Sequence, residues 1–138
     1  VAERNFLKKE DLIHFYQNTI KEFGLESIED SMGYVLSGGQ RRKVEIARCL
    51  ASKPKLILLD EPFAGIDPLA IEDIKNVLKG LSDKGICILI TDHNLRETID
   101  ICNYSIVIKD GSILDKGEKD YLINSSLIKE EYFGTVFD

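Results

Sequence analysis

Hydrophobic positions along the chain fall into two kinds of run. From Lys8 to Phe23, the residues Leu12, Phe15 or Tyr16, Ile20 and Phe23 recur at helical spacing, and Gly24 is placed to end the helix. A second helical stripe, Val44, Ala47, Leu50 and Ala51, runs to about Ser52 and stops before Pro54. A third, Ile71, Ile74, Leu78 and Leu81, starts behind Asp67 as cap with Pro68 at the first position, and Gly85 closes it. Leu56 to Leu59 and Ile86 to Ile90 differ in being short and continuously apolar, which predicts strands of a parallel sheet, the first buried on both faces. Strand, helix and strand within about thirty residues predict a right-handed βαβ crossover. Asn94 then begins a helix through Cys102. Tyr104 to Lys109 and Ser112 to Asp115 flank Asp110-Gly111, the pattern of a type I′ hairpin. From Gly117 onward the chain reads as short helices, with Tyr121, Leu122 and Leu127 packing inward. Between the first two helices, Leu25 to Tyr34 reads as a helical turn and a connector that bends at Gly33.

Composition narrows this picture only a little. A chain of 138 residues is one domain or part of one, and its 43% hydrophobic and 30% charged residues suit a soluble globular protein. The net charge of −6, with Arg41-Arg42-Lys43 as the one basic cluster, argues against a nucleic-acid partner. No apolar stretch approaches the ~20 residues of a membrane span, and no signal-peptide pattern opens the chain. Cys49, Cys87 and Cys102 lie inside apolar segments and read as small core residues in a reducing compartment. The chain begins Val1-Ala2-Glu3, without a methionine and on no strand, and so reads as the back part of something longer.

Two stretches carry candidate chemistry. The run LILLDEP places Asp60 and Glu61 at the end of a buried strand, with Pro62 stopping further pairing. Carboxylates there sit where open α/β sheets bind ligands. One acid can hold a metal while the other addresses a water; the bland reading is a solvated acidic strand end. The second stretch is Leu36-Ser37-Gly38-Gly39-Gln40, just before a helix. Ser37 is a good N-cap, and the glycines let a ligand approach backbone amides at the positive end of the helix dipole. Cap alone and phosphate site are both open for that pentapeptide taken by itself. His14 has no such company.

Together these residues resemble a family. Leu36 to Gln40 matches the signature motif of ABC-type ATPases, and Leu56 to Pro62 looks like their Walker B strand with its following glutamate. Ala64-Gly65-Ile66-Asp67 resembles the D-loop, and Thr91-Asp92-His93-Asn94 the switch-histidine loop. The four occur in the family's order. Asp30 to Gly33, Val44 to Arg48, Glu61 to Gly65, Ile90 to Asn94 and the tail around Tyr132-Phe133-Gly134 are similar to the lipopolysaccharide-export ATPases of Gram-negative bacteria. Branched-chain amino-acid importer ATPases have kindred wording and remain the alternative.

The resemblance implies an α/β fold of the P-loop NTPase type in truncated form: a helical subdomain over 1–52, then the C-terminal part of a RecA-like core over 53–138. It implies ATP and Mg²⁺ as cofactors, with Asp60 holding the metal, Glu61 as general base or water-orienting group, and His93 on the γ-phosphate. Ser37, Gly38, Gly39, Gln40 and Asp67 would meet the nucleotide of a second copy, giving a head-to-tail homodimer with two composite sites. Integral-membrane transporter subunits would be the other partners, on the cytoplasmic face of the inner membrane. The family's glycine-rich loop ending in Gly-Lys-Ser or Gly-Lys-Thr does not occur in this sequence, and the Q-loop is missing too. By itself the chain is therefore expected to be inactive and to hold ATP weakly. A DNA-repair or chromosome-maintenance ATPase and a non-catalytic fragment are the readings from other classes.

Overall fold

The structure, a computed structural model, describes residues 8–133. It divides into two compact units, the first running through Thr91 and the second starting at Asp92.

The first unit opens with α1 (Lys9–Glu22), followed by a 3₁₀ turn at Glu26–Ile28 and a second at Gly33–Val35. Gly24 takes φ +59°, the left-handed conformation that ends α1. Phe23 and Leu25 behind it are buried, whereas Tyr16 is 47% exposed and its hydroxyl donates to Glu29 Oε1 at 2.7 Å. Of the two candidates at that position, Phe15 therefore takes the inward place. Gly33 opens the second 3₁₀ turn instead of making a bend.

Helix α2 (Gly38–Leu50) buries Ile46 and Gly39, not the expected stripe. Val44, Ala47 and Ala51 line an open apolar groove with Leu12, Phe15 and Ile20 of α1. Strand β1 (Leu56–Asp60) pairs in parallel with β2 (Cys87–Thr91), in register from Leu56↔Cys87 to Asp60↔Thr91. Helix α3 (Pro68–Asp83) is the crossover between them and buries Ile71, Ile74, Leu78 and Leu81, as its spacing predicts. Burying each such side chain contributes roughly 1.5–3 kcal/mol, so this stripe fixes the helix on the sheet.

Burial on both faces of β1 is not observed. Ile57 and Leu59 are buried, while Leu56 and Leu58 are 51% and 67% exposed. Leu89, the register partner of Leu58, is 57% exposed. One face of the pair is thus covered and the other is an open apolar surface. Nor are the cysteines core residues: Cys49 and Cys87 are exposed and Cys102 half-buried, all three as free thiols. Burial pushes the Cys102 thiol up from its ordinary value.

The second unit holds α4 (Leu95–Ile101), the antiparallel hairpin β3 (Ser105–Lys109) and β4 (Ser112–Gly117), then α5 (Lys119–Asn124) and a last short helix, α6 (Ser126–Ile128). A turn of π-helix over Lys129–Phe133 follows. Asp110 and Gly111 both have positive φ, +49° and +75°, as the expected type I′ turn requires. Its core is Ile99, Val107, Leu122 and Ile128, with Leu95 and Leu114 against them. Leu122 packs inward as expected, but Tyr121 and Leu127 stay exposed, and Ile128 supplies the remaining anchor. The tail resemblance at Gly134 lies outside the described residues.

Candidate functional site

The signature turn is built by a capping box. The Gln40 N–H donates to Ser37 Oγ at 3.2 Å, and the Ser37 N–H donates to Gln40 Oε1 at 3.0 Å. This reciprocal pair satisfies two backbone donors at the start of α2 and leaves Ser37 and Gly38 exposed. Gly39 is buried because it faces α3. A Cβ built there would sit 2.4 Å from the Ala70 Cβ, so only a hydrogen fits between the helices. A Cβ on Gly38 would lie 3.4 Å from the Gly65 carbonyl oxygen, which seats the signature turn directly on the loop 64–67. At the end of that loop the Ala70 N–H donates to Asp67 Oδ1 at 3.0 Å, capping α3.

The acidic strand end lies beside these groups. Asp60, exposed at the last residue of β1, accepts the Thr91 hydroxyl at 2.5 Å across the register pair. Glu61 follows with φ +45°, a left-handed conformation that costs a non-glycine residue about 1–2 kcal/mol. Both ends of its backbone are held. Its N–H donates to the Thr91 carbonyl at 2.7 Å, extending the ladder by one residue, and its carbonyl accepts the Ala64 N–H at 3.3 Å. That carbonyl also accepts Arg42 Nη2 at 3.2 Å. Pro62 and Phe63 are buried behind the turn, so the conformation is fixed from both sides.

The first unit therefore brings together Ser37, Gly38, Gly39, Gln40, Asp60, Glu61 and Asp67. His93 belongs to the second unit. There Asp92, its carboxylate without exposure, accepts the Asn94 N–H at 2.8 Å. Asn94 in turn caps α4 by accepting the Glu97 N–H at 3.3 Å. His93 projects from this turn with its side chain 72% exposed, and its Nδ1 lies 3.8 Å from Asp92 Oδ1. Two contacts are absent from the sequence reading: the Thr91 hydroxyl on Asp60 and the Arg42 guanidinium on the Glu61 carbonyl. The first had a usable signal, since Thr91 ends the parallel strand opposite Asp60. The second joins residues nineteen apart in the chain, with no periodic cue.

Among the described residues no group of three His, Cys, Asp or Glu could hold a metal ion by itself. The donor set at Asp60 fits a different mode, in which a hard divalent cation takes one or two protein oxygens and fills its remaining positions with water and phosphate. An exposed carboxylate with a neighbouring hydroxyl is such a partial set.

Residues 3–64 match the family described as ABC transporter. The lipopolysaccharide export system ATP-binding protein LptB of Haemophilus influenzae is 48% identical over 118 residues, which is 86% of this chain and 49% of that protein. Among solved structures, the ADP conformation of MJ1267, an ATP-binding cassette of an ABC transporter, matches with TM-score 0.78 and 31% identity over 92% of this chain and 51% of that one. A dimeric post-hydrolysis state of the cassette MJ0796, bound to ADP and Pi, matches with TM-score 0.67 and 28% identity over 83% and 50%. The chain spans about half the length of these relatives. By sequence and by fold, it belongs with the ATP-binding cassettes of ABC transporters.

Proposed function

We propose that the protein containing this chain hydrolyses ATP as the nucleotide-binding subunit of an ABC transporter, and that its cargo is lipopolysaccharide. The observation that carries the ATPase reading is the gathering of the capped signature turn, the loop 64–67 and the Asp60–Glu61 pair in one packed unit. The cargo rests on the 48% identity to a lipopolysaccharide export ATP-binding protein. The division into a helical subdomain over 1–52 and a core segment over 53–138 is part of the same proposal.

In this reading Glu61 accepts a proton from the attacking water, or orients that water toward the γ-phosphate. Asp60, steadied by the Thr91 hydroxyl, would hold Mg²⁺, which supplies charge neutralisation on the phosphates when bound. His93 is assigned a hydrogen bond to the γ-phosphate on the pattern of its loop. Ser37, Gly38, Gly39 and Gln40, with Asp67 beside them, address the nucleotide of a second copy. That assignment draws support from a solved neighbour that is a dimer bound to ADP and Pi. Membrane-embedded subunits on the cytoplasmic side would receive the motion; among the described residues no helix is long and apolar enough to cross a membrane.

The test is ATP turnover by the full-length protein with its membrane partners. Glu61→Gln should leave ATP binding intact and nearly abolish hydrolysis, because the amide cannot accept the proton. A Glu61→Gln protein with unchanged kcat removes Glu61 from this role. Measuring lipopolysaccharide release from proteoliposomes in the same assay decides the cargo.

A further inference from the structure

We propose that Arg42 is a positioning residue for Glu61, an inference that rests on the ATPase reading above and names a group that reading did not include. The guanidinium makes two bonds in different directions. Nη1 donates to Glu45 Oε2 at 2.9 Å, within α2, and Nη2 donates to the Glu61 carbonyl at 3.2 Å. Glu45 thereby orients the planar fork, and the fork reaches the backbone of the proposed base.

The place it reaches is unusual. Glu61 stands in the left-handed region at φ +45°, and the Ala64 N–H that closes the turn after it does so at 3.3 Å, a long bond. A charge-assisted donor on the same carbonyl holds the peptide plane whose rotation would swing the Glu61 side chain. Arg42 sits two residues beyond Gln40, on the helix whose first turn is the signature motif. One guanidinium therefore joins the helix facing a second copy's nucleotide to the carboxylate facing its own. A shift of α2 along its axis would alter the bond to the Glu61 carbonyl.

Arg42 touches neither nucleotide in this scheme and acts through Glu61, which the experiment must isolate. In the full-length protein, Arg42→Met keeps the aliphatic stem and removes both donors. Expected is a loss of about tenfold in kcat with KM for ATP changed less than about twofold, since the contact serves the chemical step and not ground-state binding. Arg42→Lys, with one donor able to reach the carbonyl, should recover most of the rate. In single-turnover measurements on the Glu61→Gln background, Arg42→Met should lower the residual rate little further, because the group it positions is already gone. A wild-type kcat in Arg42→Met, a rise confined to KM, or an equal fold-loss with and without Glu61 would each overturn the proposal. Failure of Glu61→Gln itself to slow turnover would instead strike the ATPase assignment, so the two failures are distinguishable.

Discussion

Ser37 shows how a residue that caps a helix can also serve an anion. A hydroxyl has two acceptor lone pairs and one proton. In the capping box Ser37 Oγ accepts the Gln40 N–H, which engages a lone pair and leaves the proton to be donated outward from an exposed position. Cap and phosphate site are therefore compatible at this residue, although the bare pentapeptide could not show it. Substitution separates them. Ser37→Asp keeps a strong cap but has no proton and adds a negative charge, so thermal stability should hold while ATP-driven dimerisation of the full-length protein is lost. Ser37→Ala should lose both, with about 1 kcal/mol of stability. Thermal unfolding alongside light scattering with ATP reads the two effects apart. The carboxylates of the strand end were equally legible, because a proline after an acidic pair marks where pairing stops. The left-handed backbone at Glu61 was not legible: only the finished turn, buried Pro62 and Phe63 included, selects it.

Hydrophobic spacing tracks helix burial where a face meets large neighbours and loses it where the neighbour is small. Every member of the stripe on α3, Ile71, Ile74, Leu78 and Leu81, is buried as its spacing predicts, and Lys75 is buried beside them. On α2 the expected apolar stripe stays half-open, and the tight contact is made by Gly39 against Ala70. Hydrophobic periodicity cannot register a contact whose requirement is the lack of a side chain. It follows that a damaging substitution at Gly39 is no clean test of phosphate binding. Gly39→Ala should destabilise the fold by about 1–3 kcal/mol through overpacking, with or without ATP. Ala70→Gly in the same chain should return much of that loss once its own helix cost of about 1 kcal/mol is allowed for. Denaturant unfolding of the four variants gives the coupling; strict additivity would mean the two positions do not meet. Strand β1 shows the other kind of misreading. Four aliphatics in a row suited burial on both faces, yet the covered face holds only Ile57 and Leu59.

At the scale of the molecule, the two units differ in what stabilises them. The first depends on the α3 stripe and the α2–α3 seam; the second gathers Ile99, Val107, Leu122 and Ile128 around a hairpin. A polar contact braces that second core. The Ser125 hydroxyl donates to Asp115, and this bond, with the Lys116 and Tyr121 groups nearby, holds the Asp115 carboxyl below its ordinary range despite some opposing desolvation. A depressed folded pKa contributes stability above the ordinary carboxylate range, and that contribution is lost as pH falls through the folded value. Ser125→Ala should therefore lower the unfolding midpoint near neutral pH and leave it closer to wild type in acid, which scans across that range will show. An acid difference as large as the neutral one would mean the hydroxyl does not bind the charged form.

The near-contact of Gly39 and Ala70 also bears on how this sequence can drift. Where two helices are kept apart by a single hydrogen atom, position 39 cannot gain a side chain until position 70 gives up its methyl. The pair should therefore vary jointly across descendants of this chain, as though two sites in the gene were one.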